Sequence, residues 1–164
     1  MNSNLYAFFW GKEGPYRCFS QWYPSEFRDD AGLVYCNCEQ YMMAHKAALF
    51  GDTDTFQAIM NETDPAKIKK LGRLVKHFDE DIWKQNRYNI VFQGNYLKFT
   101  QNSNLKTILL GTNNRIIAEA SPYDDIWGIG LRESVAKNKP RSEWPGMNLL
   151  GQALMLVRDM IRKD

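Results

Sequence analysis

The sequence predicts a mainly α-helical α+β protein, its 164 residues forming one compact single domain, residues 1–164, with a few short strands. Three observations carry that expectation. Apolar residues recur at helical spacing in several stretches with capping residues at their ends, and the apolar runs of strand length are few. The length suits one hydrophobic core without disulfides.

The chain opens with an apolar and aromatic run, Leu5 to Trp10, closed by Gly11 and read as a strand. From Gly11 to Gly32 glycines, prolines and polar residues alternate with Tyr16, Phe19, Trp22, Tyr23 and Phe27, too aromatic for a disordered linker. This loop is expected to pack onto something. Leu33 to Cys36 reads as a second short strand leading into the most informative segment, Asn37 to Phe50.

That segment has both helix ends marked. Asn37 suits an N-cap, Gln40 stands where a capping box places Glu or Gln, and Gly51 follows the last periodic residue. Tyr41, Met42, Met43, Ala44, Ala47, Ala48, Leu49 and Phe50 cover nearly every direction around the axis, the pattern of an enclosed helix. Glu39 and Lys46 break it. Seven residues apart, they share one face roughly 10 Å apart along the axis, and a helical lysine leans back toward its N-terminus. Spacing alone leaves two readings open: a solvated ion pair, or an acid and a desolvated, nucleophilic amine.

After Gly51, Asp52 or Thr53 can cap a short helix bearing Phe56, Ile59 and Met60, and Asp64-Pro65 starts another. The second carries Lys67, Lys69, Lys70, Arg73 and Lys76, which reads as a solvated basic face or as one that steers phosphates. Asp79 caps a longer helix to about Phe99, with Ile82, Trp83, Ile90, Val91 and Leu97 as its buried set and Gly94 open to a close neighbour. Asn102 or Ser103 caps a short helix through Leu105, Ile108 and Leu109, closed by Gly111, and Arg115 to Ala120 reads as a strand. Ser121 to Met147 is a long irregular stretch with Trp127 and Trp144, of the kind that carries function. A last helix, Asn148 to about Arg162, presents Leu149, Leu150, Ala153, Leu154, Leu156, Val157, Met160 and Ile161 as a broad apolar stripe.

Composition narrows the function. Twenty-one basic against nineteen acidic residues leave a charge of +2, which announces neither a nucleic-acid coat nor a membrane-surface protein, and a small or nucleotide-like substrate fits better. Aromatic residues are 13% of the chain, enough for some to line a cleft that stacks planar groups. The three cysteines, Cys18, Cys36 and Cys38, and an opening Met1-Asn2-Ser3-Asn4 without a charged-then-apolar leader lead to the expectation of an intracellular, cytoplasmic location. Cys36, Cys38, Glu39 and His45 lack a second convincing ligand pair, so no metal is expected, and no cofactor either. No run approaches the roughly 18 apolar residues of a membrane span, and no obligate protein partner is evident.

Candidate chemistry gathers in three places: Glu39 with Lys46, Glu119 at a strand end, and Ser121-Pro122-Tyr123-Asp124-Asp125-Ile126-Trp127-Gly128-Ile129-Gly130. Singly, Asp124 and Asp125 read as turn residues and Glu119 as an edge residue. Together with Phe19-Ser20-Gln21-Trp22, the Cys38 to Ala47 run, Trp83, and Trp144-Pro145-Gly146-Met147-Asn148-Leu149-Leu150-Gly151, they resemble the NADAR family over nearly the whole chain and in the family's order. Gln21 departs from it, standing where many relatives carry Asn.

The resemblance implies a NADAR-like fold and an N-glycosidase, a hydrolase that cuts the bond between ADP-ribose and guanine in DNA, RNA or nucleotides. It implies catalytic roles for Lys46, Glu39 and Asp124, and substrate binding by Ser20, Trp22, Trp83, Glu119, Ser121, Trp127, Gly128 and Asn148. Cutting a ribose-to-base bond builds positive charge on the anomeric carbon, which carboxylates stabilise. A neutral lysine offers a second route, through a Schiff base with the ring-opened sugar. Two alternatives stay open: an N-glycosidase of riboflavin-pathway amino-uracil riboside phosphates, and a non-catalytic module that binds ADP-ribose.

Overall fold

Strand β1, Tyr6–Phe9, runs parallel to β4, Ile116–Glu119, with Tyr6 opposite Ile116 and Phe9 opposite Glu119. The computed structural model describes residues 4–164; Met1, Asn2 and Ser3, the opening read above for a leader, lie outside the described residues. The protein is mainly helical with a few short strands, as the periodicity predicts. Its contacts group it into two units, one made of the N-terminal segment through Ser20 with Ser103–Asp164, the other of Gln21–Asn102.

In the first unit β1 and β4 lie with helix α5, Ser103–Gly111, and helix α7, Leu149–Ile161. Ala118, Ala120, Ile129, Ala136 and Trp144 form a buried cluster against which Tyr6, Phe8 and Leu131 pack. Trp144 closes it by donating its indole N–H to the Ala136 carbonyl at 3.2 Å. Arg158 of α7 is buried and donates to Thr112 Oγ1 at 2.9 Å and the Arg115 carbonyl at 2.8 Å, tying the helix to the turn that enters β4. The 121 to 147 stretch is largely irregular, as expected, but holds helix α6, Glu133–Ala136, and a 3-10 turn, Arg141–Glu143.

The second unit is built around helix α1, Cys38–Leu49, on which α2, Thr53–Met60, α3, Pro65–Arg73, and α4, Glu80–Gln101, all pack. Asn37 caps α1, its Oδ1 accepting from the Gln40 amide at 2.8 Å. The Gln40 side chain does not return to Asn37 as a capping box would. Its Oε1 accepts from the Cys36 amide at 2.8 Å, while its Nε2 donates to the carbonyls of Ile59 and Met60 at the end of α2 and of Glu62 just after it. Gln40 thus ties the start of α1 to the C-terminal end of α2.

Close approach in this unit depends on glycine. A Cβ on Gly94 of α4 would sit 2.6 Å from Cδ1 of Tyr41, and one on Gly72 of α3 would collide with the Met43 side chain. Gly94 thus meets the close neighbour its position allowed. The 11 to 32 loop packs as expected, burying Cys18, Phe19 and Phe27, and it contributes a 3-10 turn, Arg17–Phe19, and strand β2, Phe27–Arg28. The expected Leu33 to Cys36 strand is shorter: β3 is Val34–Tyr35, antiparallel to β2.

Several details of the sequence reading need correction. Ala48 and Leu49, taken as enclosed, are exposed, because in the last turn of α1 only the side that carries Ala47 is covered. Ile82, assigned to the core, is 42% exposed, since the first turn of α4 lies outward and only Trp83 turns in. On α7, Leu156 and Met160 fall on the solvent side of the stripe. Gly111 is the last helical residue of α5, not the residue after it.

Candidate functional site

The residue types singled out above fall in both units, and each group has its own local geometry. In the second unit Glu39 occupies the first turn of α1, where unpaired amides favour an anion, and it is 6% exposed. Its amide donates to the Gln21 carbonyl at 3.0 Å, which fixes the preceding loop to the helix start. Gln21 is further held by its Oε1, which accepts from Asn95 Nδ2 at 2.9 Å; this is the bonding the longer side chain adopts where relatives carry Asn.

Lys46 stands in the last turn of α1, half-buried, with its Nζ 4.7 Å from the centre of the Phe78 ring and 5.5 Å from that of Trp83. Both rings offer a face to the cation. Burial is the main cause that lowers the Lys46 pKa from its ordinary 10.5; the Arg73 charge acts in the same direction and Glu39 opposes both. The structure therefore brings Lys46 together with Trp83 and within the field of Glu39. Trp22 lies in the same unit, 39% exposed.

Sequence reasoning missed three participants in this unit. Phe78 was passed over and Arg73 was counted with the basic face, yet both bear on the Lys46 amine. Lys98 is wholly buried, with its Nζ 5.7 Å from the Tyr23 ring centre. A signal existed: Val91, Asn95 and Lys98 follow i, i+4, i+7 spacing, so the buried face of α4 carries an amide and an amine. Cys38, buried beside them, has its thiol raised to about 11, chiefly by burial, and donates toward Asn95 Oδ1 at 3.7 Å. A thiol so placed is a structural group, not a nucleophile.

In the first unit the end of β4 and the loop after it form the second group. The Asp124 Oδ1 accepts from the amides of Ile126 at 2.9 Å and Trp127 at 2.8 Å, an Asx-type turn that fixes the loop. Ser121 Oγ accepts from the Tyr123 amide at 3.2 Å, so the backbone is held on both sides of Pro122 and Tyr123. Gly128 is needed for closeness: a Cβ there would lie 2.8 Å from the Asp124 carbonyl oxygen and 2.9 Å from that of Glu119. The Ile129 amide completes the fold-back by donating to the Glu119 carbonyl at 2.9 Å.

Asn148 joins these pieces. It is buried, has a left-handed backbone with φ +54°, and caps α7 without a side-chain bond to that helix. Its amide group instead reaches β4, with Oδ1 accepting from Glu119 N–H at 3.1 Å and Nδ2 donating to the Ile117 carbonyl at 2.9 Å, while its own N–H donates to the Gly128 carbonyl at 3.0 Å. Glu119, Ser121, Asp124, Trp127, Gly128 and Asn148 are thus gathered by one hydrogen-bonded knot. Ser20, also in this unit, ends the Arg17–Phe19 turn, where its amide donates to Arg17 O at 3.2 Å.

Among the described residues no cluster of three His, Cys, Asp or Glu could hold a metal ion, no disulfide joins the cysteines, and no helix is long and apolar enough to cross a membrane.

Comparison with known proteins gives the family. The chain is 46% identical over 166 residues to N-glycosidase R617 of Acanthamoeba polyphaga mimivirus, covering 97% of this chain and 98% of that protein. It is 35% identical over 156 residues to Protein irg-1 of Caenorhabditis elegans, covering 86% of this chain and 74% of the relative. The fold matches the NMR structure of the Escherichia coli protein YbiA with a TM-score of 0.80 at 22% identity, over 98% of this chain and 86% of that one. The NADAR domain family model matches residues 8–162, a span that takes in parts of both units, and the chain belongs to the NADAR family.

Proposed function

We propose that this protein, an N-glycosidase, hydrolyses the bond between ADP-ribose and guanine, and that Lys46, Glu39 and Asp124 carry the reaction. The observation that carries the reading is Lys46 itself: an amine half-buried against Phe78 and Trp83, with its pKa lowered mainly by desolvation, on the same helix as a buried carboxylate. A plain binding module has no need of an amine shifted toward its neutral, nucleophilic form.

The chemistry balances as follows. The neutral Lys46 amine attacks the anomeric carbon as its bond to the guanine nitrogen breaks, and the departing base takes up a proton from a carboxylic acid, the task assigned to Asp124 or Glu39. The sugar ring opens to a Schiff base with Lys46. Water adds to it and releases ADP-ribose, restoring the amine. The remaining carboxylate stabilises the positive charge that develops at the anomeric carbon. Since Asp124 Oδ1 is committed to the turn, Oδ2 is the oxygen assigned to the substrate. Ser20, Trp22, Trp83, Glu119, Ser121, Trp127, Gly128 and Asn148 are the proposed binding and positioning set, with Gly128 and Asn148 acting through the backbone they hold.

The test is release of ADP-ribose from ADP-ribosylated guanosine and from an oligonucleotide bearing the same modification, run beside an amino-uracil riboside phosphate. Turnover of the guanine substrates and a borohydride-stabilised sugar adduct on Lys46 are the expected results. Preference for the pyrimidine riboside overturns the substrate, and an active Lys46→Ala enzyme without an adduct overturns the lysine mechanism.

A further inference from the structure

Tyr123 is 80% exposed although it sits in a loop held by several hydrogen bonds. Its amide is held by Ser121 Oγ at 3.2 Å, and the next residue, Asp124, is locked by the amides of Ile126 and Trp127. The aromatic ring is therefore mounted on a fixed backbone yet contributes little apolar burial to folding. Beside it Trp10 is 45% exposed, with ring centres 5.8 Å apart and planes tilted by 56°, so each ring limits the other's movement. Arg132 completes the group, its Nη2 donating to the Tyr123 hydroxyl at 3.5 Å; a guanidinium has five N–H donors, so this loose contact uses little of its capacity.

Two large exposed rings and a cation on rigid backbone match one ligand chemistry: a planar aromatic base joined to a phosphate. Stacking on an aromatic side chain needs only a π face, and arginine pairs with phosphate through parallel N–H bonds. We propose that Trp10, Tyr123 and Arg132 form a platform for the nucleotide part of the substrate, a purine base lying on the Tyr123 ring, braced by Trp10, and its phosphate on Arg132. This rests on the N-glycosidase reading above, since Tyr123 directly precedes Asp124, and it makes a purine nucleotide, alone or within a strand, the group that carries the bond to be cut. The amphipathic ring pair favours a base over a peptide partner because the cation sits at the phenol edge, where a base's phosphate extends.

The experiment is isothermal titration of the whole protein with GMP, guanosine and UMP, using wild type, Tyr123→Ala, Tyr123→Phe and Arg132→Ala. All three substitutions fall on exposed side chains, and unchanged melting temperatures confirm that the variants fold. GMP is expected to bind more tightly than UMP. Tyr123→Ala should weaken GMP binding about tenfold or more, as loss of one base stack does, while Tyr123→Phe stays within about threefold of wild type. Arg132→Ala should weaken GMP about tenfold and leave guanosine little changed. GMP binding unaffected by Tyr123→Ala, an equal loss of GMP and guanosine on Arg132→Ala, or UMP binding as tight as GMP overturns the platform. Turnover of ADP-ribosylated guanosine is scored separately: activity with no Tyr123-dependent GMP binding removes the platform alone, and Tyr123-dependent binding with no turnover of any N-riboside removes the catalytic reading alone.

Discussion

The Lys46 amine lies 5.5 Å from the centre of the Trp83 ring, so the last turn of α1 and the first turn of α4 share one polar group in a largely apolar setting. Desolvation there favours the neutral amine, Arg73 reinforces it by repulsion, and Glu39 resists it.

Two substitutions should therefore move the pH dependence in opposite directions. The basic form of Lys46 gains population as pH rises toward its folded pKa, which lies below 10.5, so kcat/KM should rise along that limb. Arg73→Ala removes a positive charge that lowers the pKa and should shift the limb to higher pH. Glu39→Gln removes a negative charge that raises it and should shift the limb to lower pH, on top of any loss in maximal rate. Lys46→Ala should reduce the rate on the order of 10³-fold or more if the amine is the nucleophile. The pH–rate profiles of the three variants provide the check, and limbs that move together would contradict the assigned couplings.

Asn148 gives a prediction about stability. Asn148→Ala strands the buried Glu119 N–H and Ile117 carbonyl and places a Cβ-bearing apolar residue at φ +54°, so it should cost about 2–4 kcal/mol. Asn148→Gly loses the same two bonds but adopts that backbone freely, and should be less damaging by about 1 kcal/mol. Urea unfolding of the two variants measures the difference directly. Activity should fall with the alanine variant even where the protein remains folded, because β4 then loses the two side-chain bonds by which Asn148 holds its Glu119 end.

Asp52 ties α2 to the segment after α3 through the Lys76 amide at 2.9 Å and through Thr55, by its hydroxyl at 2.6 Å and its amide at 3.1 Å. These bonds, the Lys76 amide first, hold its carboxyl down to about 2 from an ordinary 3.8. A carboxyl pKa depressed by folding stabilises the protein fully above the ordinary value and loses that contribution as pH falls through the folded value. Thermal melts from pH 6 to about 2 should therefore show wild type and Asp52→Asn furthest apart above 3.8 and converging toward pH 2. A constant gap across that range would mean the carboxylate charge contributes nothing.

Much of the molecule is written in short-range pattern. Asn37, Asp52, Asp64 and Asp79 are N-caps of α1 to α4 in the structure as their position before periodic apolar runs indicates, because a cap needs only a side-chain oxygen and the amides two or three residues on. Pro65 at the first helical position and Gly51 with φ +70° after α1 are equally local. The burial of Glu39 settles in the structure what its spacing from Lys46 left open between a solvated and a desolvated carboxylate.

Tertiary packing decided what local pattern does not contain. Nothing near Lys46 in the sequence indicates that Phe78 and Arg73 would lie around its amine; α3, docked on α1 with Gly72 beside Met43, brings Arg73, and the segment between α3 and α4 brings Phe78. Gln40 has the residue type of a capping box, yet its amide is drawn to the carbonyls of Ile59, Met60 and Glu62 around the end of α2, which come within reach only once α1 and α2 have packed. Asn148 reads as an ordinary helix start and became the clamp of β4, and Tyr123, one more aromatic in a loop, became an exposed ring on fixed backbone. By itself the sequence determined the helices and their caps, which depend on interactions a few residues long, and singled out the proposed reactive groups. Only the tertiary structure decided the surroundings of those groups, because desolvation and charge coupling act across space between residues far apart in the chain.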